Sequence, residues 1–115
     1  MEVLILGVYK KFYGCTFFSE EDMKEANIKG KVELDYYKIQ SNNVDMLNED
    51  NSLYGIEVVK KQYDSKDKIY EEIQSVKDIT KNESCVDKML ETLKEYKVTP
   101  VGLQNVIDDL KQIWK

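Results

Sequence analysis

A chain of 115 residues has room for one domain that buries about two thirds of its unfolded surface around a single core, and no room for a second. With 42% hydrophobic and 34% charged residues it is apolar enough to fold, and a formal net charge of -5 disfavours direct binding to a phosphate backbone. All 17 basic residues are lysine and there is no histidine, so the planar fork that grips phosphates is missing, as is the side chain most often used to move protons near neutral pH.

In chain order, "VLILGVY" predicts a buried strand, and "FYGCTFF" a second strand or a bulged continuation of the first. The apolar run ahead of Lys10 and Lys11 is too short to span a membrane and lacks a basic leader, which points to a cytoplasmic chain. "SEEDMKEANIKG" predicts a short helix within residues 19–29, with Ser19 as N-cap, acids in the first turn and Gly30 as the stop. "KVELDYYKIQ" alternates as a strand with Val32, Leu34 and Tyr36 on one face. Tyr37 and Ile39 fall on the other face, which suggests a bulge or a sheet covered on both sides.

Residues 41–52, "SNNVDMLNEDNS", read as a polar loop carrying Asp45, Glu49 and Asp50 and no lysine. "LYGIEVVKKQY" and "IYEEIQSV", joined through "YDSKDK", read as a hairpin. Thr80, three residues ahead of Glu83, predicts a capping box opening a helix whose apolar positions are Val86, Met89, Leu90, Leu93 and Tyr96. On roughly the opposite side Glu83, Asp87, Glu91 and Glu95 recur every four residues. Like charges at that spacing cost an isolated helix about 0.2 to 0.5 kcal/mol per pair, so the stripe does not serve the helix itself.

Thr99 and Pro100 predict a cap and first position for a last helix with Leu103, Val106, Ile107, Leu110, Ile113 and Trp114 on one face. Asp108 and Asp109 are consecutive, so their side chains diverge by about 100° and cannot act on one bond as acid and base. The expected fold is α+β in a single domain over residues 1–115. An antiparallel sheet of three to five strands, with a short helix near residues 19–29, fills residues 1–79, and a helical hairpin over residues 80–115 covers it.

"YGIEVVKK" at 54–61, "VKDIT" at 76–80 and "TPVGLQNVIDDL" at 99–110 resemble, in order and spacing, an uncharacterised family of small proteins, a domain of unknown function, from spore-forming Gram-positive bacteria. The resemblance implies a cytoplasmic bacterial protein with a small sheet and a terminal helical hairpin, and no activity. The family pattern carries a histidine where this chain has Gly102, an acid where it has Asn105, and an acid pair matching Asp108 and Asp109; the departures at Gly102 and Asn105 weaken the case for a reactive site at those positions here.

The residues themselves offer little chemistry. Cys15 and Cys85 lack the short spacings of metal or redox motifs and read as small buried hydrophobes. The 41–52 loop lacks the alternating ligands and central glycine of a calcium loop, so neither a metal nor a cofactor is expected. Eight tyrosines are the suggestive surplus, because tyrosine suits recognition surfaces. The first expectation is therefore a non-enzymatic acidic interaction or regulatory protein. It would bind a protein partner, a basic one included, through Tyr37, Glu83, Asp87, Glu91 and Glu95 together with Asp45, Glu49 and Asp50. A homodimer through the sheet or hairpin is a further expectation. The alternatives are a phage or mobile-element inhibitor that presents its acids as a decoy to a nucleic-acid-binding protein, and an enzyme that works without histidine.

Overall fold

The structure, a computed structural model, describes residues 5–44, 52–64, 66 and 68–113. Strands β1 (Ile5–Phe17), β2 (Lys31–Val44), β3 (Leu53–Tyr63) and β4 (Ile69–Thr80) form one antiparallel sheet in the order β1-β2-β3-β4. Helix α1 (Glu20–Glu25) joins β1 to β2. After β4 come α2 (Glu83–Glu95), a 3-10 turn at Pro100–Gly102 and α3 (Leu103–Ile113). The fold is α+β, with a C-terminal helical layer on one face of the sheet.

The layer forms because one face of each element is apolar. Leu34 and Tyr36 of β2, Ile56 and Val58 of β3 and Val76 of β4 meet Val86, Met89, Leu90 and Leu93 of α2 and Leu103, Ile107 and Leu110 of α3 in one buried cluster. Burying a leucine or isoleucine side chain contributes about 1.5 to 3 kcal/mol, so this cluster is the main source of stability. The Tyr36 hydroxyl, brought inside with its ring, donates to the Val98 carbonyl at 2.9 Å and ties β2 to the corner after α2.

Several local expectations change. Residues 5–17 are one strand, not two; the register shifts between Phe12 and Gly14, so the bulged continuation is the arrangement found. Helix α1 stops at Asn27, at φ 54°, with Ile28 N–H donating to the Met23 carbonyl, rather than at Gly30. Gly30 instead clears the β3–β4 connection, since a Cβ there would lie 2.0 Å from the Tyr63 carbonyl oxygen. Thr80 belongs to β4, and the cap of α2 is Asn82, whose side chain accepts from Cys85 N–H. Thr99 caps by backbone geometry without a side-chain bond, and the last helix enters through the 3-10 turn. β2 pairs with β3 without a register shift, and the bulge opposite Tyr36 and Tyr37 lies in β1 rather than β2. No described helix covers the second face of the sheet, yet Ile39 is only 3% exposed, so the face is covered at Ile39 while Tyr37 is half-exposed.

Candidate functional site

The acidic stripe of α2 lies along the β1–β2 edge. Lys38, on the helix face of β2, places its Nζ 2.8 Å from Glu83 Oε2 and 2.8 Å from Asp87 Oδ1. The bulge at residues 12–14 turns Tyr13 toward the same helix, where its hydroxyl donates to Glu91. Glu95 is exposed. A groove of about 370 Å³ opens here, lined by Lys11, Phe12, Tyr13, Lys38 and Asp87.

The electrostatics of this groove favour fixed charges. Burial is the largest influence on Lys38 and acts to lower its pKa, but hydrogen bonds and attraction from Asp87 and Glu83 together outweigh it and leave the ammonium above its ordinary value. Tyr13 is pushed up to about 12 by its hydrogen bond to Glu91, by burial and by the neighbouring carboxylates. The groove therefore offers a permanent ammonium and a neutral phenol, neither of which exchanges protons near neutrality.

The opposite face of the sheet carries no described helix. Register places Lys10, Phe12, Cys15 and Phe17 of β1 beside Ile39, Tyr37, Asp35 and Glu33 of β2, and β3 and β4 continue the surface with Glu57, Val59, Lys61, Ser75 and Ile73. Its charges are matched across strands: Lys10 reaches Glu57 at 2.9 Å and Lys61 reaches Asp35 at 3.2 Å. Ser75 donates to Glu57 at 2.8 Å. The Lys10 ammonium also lies 4.9 Å from the Tyr37 ring centroid, and Phe12 meets that ring edge-on at 5.6 Å. Lys31 sits 4.7 Å above the Phe17 ring.

Between these pairs Ile39 and Val59 are buried, and around them the face is apolar and open, with Val8 64%, Phe12 53%, Phe17 43% and Ile73 56% exposed. Glu33 has its pKa raised, first by a hydrogen bond shared with Asp35, then by burial and by repulsion from that carboxylate. Asp35 itself is only 4% exposed, and its position beside Lys61 explains how a charge is held there.

The predicted residues thus divide into two groups. Glu83, Asp87 and Glu91 come together, but against Lys38 and Tyr13 of the same chain; Tyr37 lies on the open face with β2 between them. Asp45, Glu49, Asp50 and Trp114 lie outside the described residues. Sequence reading missed Lys38 and Tyr13 as holders of the stripe, and missed Val8, Phe12, Phe17 and Ile73 as an open patch. The signal for the patch was the alternation that sent Tyr37 and Ile39 away from Tyr36. Cys15 and Cys85 are half-buried, and neither is in a disulfide. Among the described residues no group of three metal-binding side chains occurs, and no helix is long and apolar enough to cross a membrane.

A family model matches residues 16–112, from the end of β1 through nearly all of α3, under the description "Family of unknown function (DUF6514)". No curated protein and no solved structure matches the chain.

Proposed function

We propose that this chain, which belongs to the family of unknown function DUF6514, is a non-enzymatic interaction or regulatory protein of the bacterial cytoplasm that binds a protein partner through the face of its sheet that no described helix covers. The observation that carries the reading is the open face itself: aromatic and aliphatic side chains stand exposed between ion pairs already made within the chain. A partner there meets apolar surface without having to neutralise bare charges.

The α2 stripe counts against the decoy reading, because three of its four carboxylates are engaged by Lys38 and Tyr13. The fixed protonation of the Lys38 groove likewise gives little support to an enzyme. The test is affinity capture from extract of the source cell with the natural chain and with Phe12→Ser/Phe17→Ser, each checked for folding by circular dichroism. The specific partner is expected to be lost with the double substitution. A partner that survives it, and is lost instead when Glu83, Asp87, Glu91 and Glu95 become glutamine, would move the contact surface to α2.

A further inference from the structure

The sheet has two outer strands, and they are built differently. β1 carries Lys10 and Lys11 and a register shift between Phe12 and Gly14, the features by which natural sheets keep an edge from pairing. In β4, residues 69–76 hold no lysine, glycine or proline and pair with β3 in unbroken register from Ile69 to Val76. Irregularity begins only beyond, at Asp78 with φ 56°. Residues 69–74 are exposed on both sides of the sheet, Ile69 at 54%, Tyr70 at 56% and Ile73 at 56%, so no described part of the chain shields this stretch of the edge; Ser75 is half-buried and Val76 joins the core.

We propose that this edge pairs with the same edge of a second copy, antiparallel about a two-fold axis at Ile73, to give a continuous eight-stranded sheet with both helical layers on one side. Symmetry decides the occupant and the register. In a two-fold antiparallel pair one residue must face its own copy, and residues equally far before and after it face each other. Centring on Glu71 or Glu72 sets glutamate against glutamate. Centring on Gln74 carries the pairing into Lys77 and Asp78, where the strand is irregular. Centring on Ile73 uses only residues 70–76 and sets Ile73 against Ile73, Glu72 against Gln74, Glu71 against Ser75 and Tyr70 against Val76. No like charges meet, and apolar residues face apolar ones.

This association uses the strand edge, whereas the partner reading uses the open face, so each can fail alone. Gln74 separates them, because its side chain lies on the helix side of β4, across from Val58. Light scattering over a concentration series is expected to show mass rising from 13.5 kDa toward twice that value. Gln74→Glu, which sets two glutamate pairs across the axis, should weaken the dimer by about fivefold, and Gln74→Lys, which sets lysine against Glu72, should strengthen it by about as much. In a chain with Cys15→Ser and Cys85→Ser, Ile73→Cys should form an intermolecular disulfide on mild oxidation, and Ile69→Cys should not. A monomer at every concentration would overturn the proposal. So would Gln74→Glu and Gln74→Lys moving the equilibrium in the same direction or not at all, or cross-linking at residue 69 in place of 73.

Discussion

The two faces of β2 are made by alternate residues of one strand, yet they handle the same side-chain types in opposite ways. On the helix side Tyr36 is fully buried and its hydroxyl is spent on the Val98 carbonyl, while Lys38 is held by two carboxylates from α2. On the open side Tyr37 is half-exposed beneath Lys10; Lys61 is held by Asp35 of the adjacent strand, while Lys10 reaches across β2 to Glu57 of β3, 47 residues away. The difference is the kind of element that supplies the partner. Helix-side contacts need the helical layer docked on the sheet, whereas open-side contacts need only the sheet, so the main buried cluster lies on one face and most of the exposed apolar surface on the other.

The sharpest way to break this comparison is to truncate one aliphatic residue on each side. Leu90→Ala, at a position with no exposure, should cost about 2 to 5 kcal/mol in urea unfolding. Ile73→Ala, at 56% exposure, should cost under about 1 kcal/mol in the monomer. Equal losses would mean that the open face is part of the core. The tyrosine pair gives the next largest contrast. Tyr36→Phe leaves the Val98 carbonyl without its donor and should cost about 1 to 1.5 kcal/mol, against about 0.5 kcal/mol or less for Tyr37→Phe.

Much of this division was legible in the sequence. Period-two alternation placed Val32, Leu34 and Tyr36 together, and the 3.6-residue period selected Val86, Met89, Leu90 and Leu93, all of which are buried, but also Tyr96, which is exposed where α2 ends. What the alternation could not say is which face the helices would take, because β2 is apolar on both. The stripe on α2 was visible for the same reason, but its partners were not. Lys38 is 45 residues from Glu83 in sequence, and Tyr13 reaches Glu91 only because a bulge turns it toward the helix. Strand register and bulges come from long-range pairing, which local pattern leaves open.

The helix side also dictates behaviour in base. Lys38 and Tyr13 both have folded-state pKa values above their ordinary ones, so the folded chain holds protons that the unfolded chain releases first. Their contribution to stability is complete below about pH 10 and is lost as pH rises through the folded values, for Tyr13 about 12. The urea midpoint should fall over this range. Tyr13→Phe should flatten the fall, since the remaining slope then comes from Lys38, from the buried Tyr36, whose pKa is also raised by burial, and from Lys10 and Lys61, raised by Glu57 and Asp35. An unchanged slope in that variant would separate Tyr13 from the α2 contact.

The open side adds a pH dependence of different origin in the acid range. The Glu33 carboxyl is held above the ordinary carboxylate value by its shared hydrogen bond with Asp35, by burial and by repulsion. The folded chain therefore binds this proton more tightly than the unfolded one, and stability falls as pH rises from about 4.3 through the raised folded value. The two carboxyl groups stand on one strand face, with Lys61 closest to Asp35. Glu33→Gln removes the repulsion and lets an amide donate to the Asp35 carboxylate, so it should stabilise the fold by about 0.3 kcal/mol at pH 7 and remove that part of the acid-side slope. The expected sign is opposite to every substitution on the helix side, where removing a polar group leaves a buried partner unsatisfied. A loss of stability in Glu33→Gln would show that this face, too, depends on its charges for the fold, and would erase the distinction between the two sides of β2.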